Sequence, residues 1–376
     1  MRLLDRYFLK ELIVPLFYCL SGFLIFWLTF DLFGELGDLQ KANLSAGEIA
    51  RLYLQKMPEL LVVVIPVALL LAMLYTLTNH SRHNELIAAR AAGVGMWRLA
   101  VVYLAVGSVF SILLLFVNEV WAAHRPLTLE QLGQRNSADS GQTDHENWTG
   151  PTHIEDRGAD QSWDIEDYNL RTTEMVRPRI TWTINESVTV KMVAKSGVHT
   201  NGVWTFTDLT AFRSDPTRTD SGMLQVTNSP ILGVRELTLT PQQIQSERRI
   251  GPLLDSVKMA KEAQVSLREI SDYLLLHPDL SPEKQAKLDT QYHGRLAWPL
   301  TCVVVVLIAI PFGGGSGRRN AYVGVASSIV ICFAYFILMR VGLALGTGGR
   351  LTPWLAAWLP NLLFGGGASV LIARMR

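Results

Sequence analysis

Residues 60–81 read LLVVVIPVALLLAMLYTLTNHS, a stretch of 22 residues without Asp, Glu, Lys or Arg. An α-helix rises 1.5 Å per residue, so about 20 apolar residues cross the roughly 30 Å hydrocarbon core of a bilayer. Lipid offers the backbone no hydrogen-bond partner, and an apolar segment of this length satisfies its own peptide groups by forming a helix. The stretch therefore predicts a transmembrane helix.

Five other stretches between consecutive charged residues are of similar length and character. In chain order the six, numbered here as membrane helices 1 to 6, are Leu12–Phe30, Leu60–Ser81, Leu99–Asn118, Leu296–Gly317, Asn320–Met339 and Leu351–Ala373. Hydrophobic residues make up 49% of the 376-residue chain and charged residues 18%, which excludes a mostly disordered protein. The 34 basic and 33 acidic residues nearly cancel, so the net charge gives no reason to expect a nucleic-acid partner.

Basic residues are concentrated at one set of helix ends. They are Arg2, Arg6, Lys10, Arg82, Arg90, Arg98, Arg318, Arg319, Arg374 and Arg376. Because cytoplasmic loops of membrane proteins carry an excess of Lys and Arg, this side is predicted to be cytoplasmic. Both termini then lie in the cytoplasm, and the polar segment between membrane helices 3 and 4 lies on the opposite side.

That polar segment has an acidic part followed by a β-rich part. Residues 126–170 carry ten acidic and two basic residues, and Gly, Ser, Asn and Gln are frequent in 133–147, which is typical of a loop. From about residue 163 apolar residues alternate with polar ones, as in Ile180, Trp182 and Ile184, and turn residues separate the runs. Several short strands with frequent turns predict a β-sandwich or jelly roll.

The predicted fold class is an α-helical membrane protein with six transmembrane helices (3+3) and an inserted all-β, jelly-roll-like domain. Residues 1–120 hold membrane helices 1 to 3, with a cytoplasmic helix near 82–93. Residues 121–290 form the inserted domain, with an acidic loop near 130–160. Residues 291–376 hold membrane helices 4 to 6.

Residues 84–93, NELIAARAAG, lie in the loop between membrane helices 2 and 3. Ala, Leu and Glu favour a helix, and Gly93 suits the position just past its end. A short helix at this place can transmit a push from a cytoplasmic partner, and Glu85 near its start can meet a cation on that partner. An alternative stays open for each residue. Glu85 could be a solvated acid that only stabilises its own helix through the helix dipole. Arg90 could be a positively charged anchor on the cytoplasmic side rather than a second contact.

A second notable segment is residues 292–300, YHGRLAWPL, which lead to Ile310–Gly313. The two segments, in this order along the chain, resemble the lipopolysaccharide export permeases of the LptF/LptG family. The 3+3 helices and the inserted β domain are similar too. The resemblance implies an ATPase-coupling role for Glu85, Leu86, Arg90 and Gly93. The stretch Asp31–Leu36 favours the LptG type over the LptF type.

The resemblance also implies partners and a location. The chain would pair with a paralogous permease subunit in the bacterial inner membrane, with its β domain in the periplasm. A cytoplasmic ATPase dimer, a single-span membrane subunit and a periplasmic bridge of β-jelly-roll modules would complete the machine. Lipopolysaccharide would enter between membrane helices 1 and 5 of opposite subunits and leave towards the bridge.

The chain itself shows no enzyme motif. Residues 313–318, GGGSGR, are glycine-rich but lack the Gly-Lys-Ser/Thr ending of a nucleotide-binding loop. No Ser/His/Asp or Cys/His set and no metal-ligand spacing is recognisable. We therefore expect no cofactor in this chain, with ATP and magnesium bound by the partner ATPase.

Candidate lipid contacts come from charge and from aromatic residues. Arg340 directly follows the charge-free stretch of membrane helix 5, and the five apolar residues after it predict that the helix continues past it. A guanidinium suits a phosphate headgroup. Snorkelling of Arg340 to the interface is the alternative. Lys41 and Arg125 would join it in a basic rim, or be solvated surface residues. Phe26, Phe30 and Phe336 are candidates for an apolar cavity lining, and each is equally consistent with a lipid-facing position.

Two other functions remain open at this point. One is a different ABC-type permease, for lipoprotein extraction or mechanotransmission, which would share a coupling segment but have a different external fold. The other is a membrane scaffold or sensor with an external β domain, which would need neither an ATPase nor a lipid cavity.

Overall fold

The computed structural model describes residues 3–41, 45–122, 148, 150–156, 159–184, 188–200, 202–214, 225–234, 237–255, 265–313 and 321–374. The chain divides into two compact units. The helical unit comprises Met1–Ser137, Ala260–Leu267 and Glu283–Arg376, and the β unit comprises Ala138–Met259 and Arg268–Pro282.

Ten helices are seen in the described residues. They are α1 Leu3–Lys41, α2 Ala46–Arg82, α3 Glu85–Ala91, α4 Met96–Ala122, α5 Pro241–Asp255, α6 Leu267–Leu276, α7 Pro282–Ala297, α8 Thr301–Gly313, α9 Ala321–Thr347 and α10 Pro353–Arg374. Helix α2 begins with a capping box, in which the side chains of Ser45 and Glu48 satisfy each other's backbone N–H groups.

Within the described part of the chain, α1, α2, α4, α9 and α10 are each long and apolar enough to cross a membrane. Helices α7 and α8 together pass the same test but are bent by 50° at the residues between them. Pro299 lies in that break and has no N–H to continue the helical hydrogen bonds. The predicted fold class of membrane helices with an inserted β domain is confirmed: the described residues contain five candidate membrane helices, or six if the bent pair counts as one span.

The helical unit is centred on α2 and α8. Leu69 and Met73 of α2 are completely buried, as are Val305 and Val306 of α8. Helices α9 and α10 come so close at Gly342 that a Cβ atom there would lie 2.5 Å from the Ala356 carbonyl oxygen. Glycine is required at this crossing, because any side chain would push the two helices apart.

In its described residues the β unit contains a nine-stranded antiparallel sheet. Its strands are β1 Thr152–Asp156, β2 Gln161–Ile165, β3 Asp167–Tyr168, β4 Glu174–Val176, β5 Arg179–Ile184, β6 Val188–Val193, β7 Ser196–Thr200, β8 Val203–Ser214 and β9 Gln225–Val234. They pair in the order β1-β2-β5-β6-β8-β7-β4-β3, with β9 also on β8. The long strand β8 therefore pairs with β6 along its second half, with β7 along its first half, and with β9.

Aromatic side chains fill the core of the β unit. Trp163, Trp204 and Phe206 are buried, and the Trp204 indole N–H donates to the Leu239 carbonyl at 2.7 Å. Period-two alternation places these residues on one face of the sheet, as the sequence pattern predicts. Most of the predicted acidic loop at 130–160 lies outside the described residues, while its residues 152–156 form β1.

Candidate functional site

Helix α3 is a seven-residue helix with a defined backbone turn at each end. Asn84 before it has a φ of +56° and Gly93 after it has a φ of +82°, both in the left-handed region. The Val94 N–H donates to the Ala89 carbonyl and the Gly93 N–H to the Arg90 carbonyl, which together make a Schellman motif. Gly93 thus lies where its lack of a Cβ atom lets the helix end.

The Glu85 carboxylate is held by two other helices. The Tyr7 hydroxyl of α1 donates to its two oxygens at 3.1 and 3.2 Å. The His80 Nδ1–H of α2 donates to Oε2 at 2.6 Å, the tautomer being fixed because a carboxylate only accepts. We call Tyr7, His80 and Glu85 the Glu85 cluster. Glu85 thereby does more than favour its own helix dipole, and its side chain is still 33% exposed.

The two apolar residues after Glu85 have different positions. Leu86 is buried within the core of the helical unit, whereas Ile87 is 47% exposed. Neighbours on a helix are about 100° apart around its axis, so one can face the core while the next points away from it. Ala88 is exposed and Arg90 is half-buried on the same short helix. The sequence prediction assigned Leu86 to the coupling segment and missed Ile87, although an adjacent pair of large apolar residues on so short a helix is the signal.

Arg340 lies on α9 with an exposed side chain. Its guanidinium carbon is 5.3 Å from the centroid of the Trp298 ring, in a cation–π arrangement. The Trp298 ring is in turn 6.5 Å from that of Phe336. The break between α7 and α8 therefore presents an aromatic ring to the candidate headgroup residue, a contact that no residue spacing predicted.

The other two candidate headgroup residues cannot be placed beside Arg340. Lys41 is the last residue of α1, and its side chain lies outside the described part of the structure. Arg125 lies outside the described residues altogether. Arg340 is thus the one member of the predicted basic rim whose side-chain contacts the structure gives.

The three candidate cavity residues fall into two classes. Phe26 and Phe30 of α1 are stacked, with ring centroids 6.4 Å apart, and are 62% and 71% exposed. Phe336 of α9 is half-buried and packs against the chain's own core. The first two rings are available to lipid or a partner, whereas Phe336 is largely used for packing.

Sequence reasoning missed a buried polar network at the bend. The Tyr335 hydroxyl donates to the Asn361 Oδ1 at 2.6 Å and also contacts the Thr301 hydroxyl at 2.8 Å. The Asn361 amide donates to the Ala297 carbonyl, the last of α7, at 2.9 Å. The network joins α9 and α10 to the break. Polar residues inside apolar stretches were its only sequence signal, because such groups need partners in lipid.

A second missed residue is Arg295. It lies in α7 with a side chain that is only 4% exposed, and its Nη1 donates to the Asn118 carbonyl of α4 at 3.4 Å. In the sequence prediction, membrane helix 4 began directly after this charge, at Leu296. A buried cation at a helix end supports the packing of α4 against the bent pair.

Comparison with known proteins identifies the family of the chain. The family model for the lipopolysaccharide export system permease LptF/LptG matches residues 6–374, which is nearly the whole chain. No curated protein matches the chain. Since the match covers nearly all of the sequence, the chain belongs to the LptF/LptG family of lipopolysaccharide export permeases.

Proposed function

We propose that this permease is one membrane subunit of an ABC-type machine that extracts lipopolysaccharide from the outer leaflet of the inner membrane. A separate cytoplasmic ATPase dimer supplies the work and binds ATP and magnesium, and this chain carries no cofactor. A paralogous permease completes the transport cavity. A single-span membrane subunit and a periplasmic β-jelly-roll bridge complete the machine, and the bridge receives the lipid.

The positive-inside rule supports the proposed orientation. Arg6, Lys10, Arg90 and Arg98 lie near the helix ends that face α3, and Arg374 ends α10. Both termini and α3 are then cytoplasmic, and the β unit is periplasmic. This orientation gives α3 to the ATPase and the β unit to the bridge.

The coupling contact is proposed for the outward side of α3. Ile87 offers an apolar contact, while Glu85 and Arg90 on the same helix offer charges of both signs. Leu86 anchors the helix in the core, and Gly93 ends it so that α4 can begin at Met96. An ATPase that binds Ile87 and Glu85 would therefore act on a helix that Leu86 anchors in the core of the helical unit.

The exposed face of α1 is the observation that carries the lipid-binding part. Only 11% of its apolar window is buried, against 67% for α2, so α1 needs lipid or another subunit around it. Phe26 and Phe30 on that face suit acyl chains. Arg340 on α9, and Lys41 and Arg125 beyond membrane helices 1 and 3, would serve anionic headgroups. Phe336 would contribute to the apolar lining.

The proposal is tested by purifying the tagged chain in mild detergent and identifying the proteins and lipids that accompany it by mass spectrometry. Wild type is compared with Glu85→Lys and with Glu11→Lys, which makes the same charge change at an exposed acid on α1. We expect wild type and Glu11→Lys to bring a second permease, an ATPase and lipopolysaccharide. Glu85→Lys should lose the ATPase.

Other outcomes would point elsewhere. Recovery of the wild-type chain without an ATPase would overturn the proposal and favour a scaffold or sensor. An ATPase without lipopolysaccharide would favour another kind of ABC permease. Loss of the ATPase in both variants would assign the effect to charge at this end of the molecule rather than to Glu85.

A further inference from the structure

We propose that Tyr7 and His80 are positioning residues that tie α3 to α1 and α2 through Glu85, so that displacement of α3 is passed directly to α1. The inference rests on the proposed function, in which α3 receives the work of the ATPase. It adds the route by which that work reaches the helix that bears Phe26 and Phe30.

The Glu85 cluster joins three helices at one carboxylate. Tyr7 is 78 residues away from Glu85 in the chain, and His80 is five residues away at the end of α2. Both bonds have an ionisable carboxylate as acceptor, and such charge-assisted bonds are stronger and more directional than those between neutral groups. Glu85 cannot follow a displaced α3 without pulling on Tyr7 and His80.

His80 is itself fixed within the core. Its side chain is 1% exposed, and its ring meets the Phe8 ring edge-on with centroids 4.7 Å apart. Phe8 is 2% exposed and its ring is 6.2 Å from that of Tyr103 on α4. Because interiors are closely packed, His80 transmits a displacement to Phe8 rather than absorbing it by turning.

The beginning of α1 has a further tie to its neighbours. The Arg98 guanidinium of α4 donates to both carboxylate oxygens of Asp5 at 3.1 Å. Asp5, Tyr7 and Phe8 thus connect the first turns of α1 to α2, α3 and α4. Farther along α1, Phe17, Phe26 and Phe30 are at least 62% exposed. A displacement of the neighbouring helices would therefore move the start of α1. The exposed middle of α1 can follow this movement, because few contacts within the unit restrain it.

The cluster leaves room for a partner. A carboxylate has about four lone-pair positions, and the Tyr7 and His80 bonds do not use all of them. One third of the Glu85 side chain is exposed. A cation on the ATPase can therefore bind Glu85 from outside while Tyr7 and His80 hold it from inside.

The test uses the purified permease–ATPase complex in proteoliposomes that contain lipopolysaccharide. Two rates are measured: ATP hydrolysed and lipopolysaccharide released. Tyr7→Phe removes one hydroxyl, and His80→Leu removes the ring donor. His80→Asn places an amide N–H near the position of Nδ1 and should restore the bond. Tyr75→Phe, at a 63% exposed tyrosine of α2, is the matched control.

All four variants should retain the ATPase on purification, because Glu85 and Ile87 remain in place. We expect lipopolysaccharide released per ATP to fall about tenfold in His80→Leu and about threefold in Tyr7→Phe, whose bonds to Glu85 are longer. His80→Asn should recover most of the ratio, and Tyr75→Phe should leave it unchanged.

The inference is overturned if the ratio is unchanged in both His80→Leu and Tyr7→Phe, or if His80→Asn is as impaired as His80→Leu. Loss of bound ATPase in His80→Leu would also overturn it, because that result would mean that His80 supports ATPase binding rather than transmission to α1. Failure of the proposed function is seen separately, as a wild-type complex in which ATP hydrolysis releases no lipopolysaccharide.

Discussion

Helices α1 and α2 are both apolar and long enough to cross a membrane, but they are used differently. The apolar window of α2 is 67% buried inside the chain, and that of α1 is 11% buried. Leu69 and Met73 of α2 touch neighbours on all sides, whereas Phe26 and Phe30 of α1 project from the unit. Hydropathy indicates that a helix belongs in a membrane. Packing decides whether that helix is buried within the chain or exposed to lipid or another subunit.

The two helices are nevertheless joined near both ends. At one end, Glu85 links Tyr7 of α1 to His80 of α2. Toward the other end, the Lys56 ammonium of α2 donates to Glu35 of α1 at 2.7 Å. The exposed part of α1 lies between these ties. That arrangement suits a helix whose middle can gain and lose contacts with lipid while the contacts near its ends are kept.

The largest expected effect comes from truncating the buried helix. Leu69→Ala should lower the free energy of unfolding by about 2–5 kcal/mol, because it leaves a cavity at a fully buried position. Phe30→Ala removes more atoms but from an exposed site, and should change it by less than about 0.5 kcal/mol. Unfolding in mixed micelles titrated with denaturing detergent measures both. Equal losses would remove the distinction between the two helices.

A second comparison extends the contrast to glycines. Gly342→Ala should destabilise the chain by about 1–3 kcal/mol, because its Cβ would overlap the Ala356 carbonyl oxygen. Gly366→Ala is the control, since no atom lies within 4 Å of a Cβ built there. Gly366→Ala should be neutral or slightly stabilising. The same unfolding titration applies, and a tolerated Gly342→Ala would mean that α9 and α10 can separate freely.

The buried network at the bend should give the next effect. Tyr335→Phe leaves Asn361 Oδ1 and the Thr301 hydroxyl without their shared partner, at a cost of about 1–3 kcal/mol. Tyr75→Phe, at a 63% exposed tyrosine of α2, should cost far less. Thermal unfolding followed by light scattering compares them. A Tyr335→Phe protein as stable as wild type would show that the network does not hold the break.

The smallest effect is expected at an exposed pair of the β unit. The hydrogen bond from His153 to Asp164 raises the pKa of His153 above its ordinary value of 6.5. A raised folded-state pKa stabilises the fold below the unfolded value, and the contribution is lost as pH rises through the folded value. Because both side chains are more than half exposed, we expect less than about 1 kcal/mol.

Asp164→Asn tests this assignment. The melting temperature of wild type should exceed that of the variant most below pH 6.5, and the difference should shrink as pH rises further. A difference that grows with pH would contradict the sign of the shift. A difference as large as that for Leu69→Ala would contradict the view that exposed contacts contribute little here.

Much of the fold could be predicted because its signals are local. Charge-free stretches gave the membrane helices, period-two alternation gave strands such as β5, and Gly93 marked the end of α3. Pro299 was present as a signal for the bend but was not interpreted. A linear count of apolar residues does not distinguish one straight span from a bent pair.

The contacts of the candidate site could not be predicted in the same way. The rotation of each helix about its axis decides that Leu86 is buried and Ile87 exposed, and this depends on packing with distant segments. The bond between Tyr7 and Glu85 spans 78 residues. Apolar residues that face lipid, a cavity or the core have the same hydropathy, so the difference between Phe30 and Phe336 is visible only in three dimensions.

We propose that the exposed face of α1 contacts lipopolysaccharide, and site-specific photocrosslinking tests this contact. A photoreactive amino acid is placed at Phe30 or at Ile112 of α4, which are 71% and 69% exposed. Crosslinks to lipopolysaccharide in the intact complex are then counted with and without ATP. We expect a strong crosslink at position 30 that decreases on ATP addition, and a weak one at position 112 that does not change. Equal crosslinks at the two positions, or none at position 30, would contradict it.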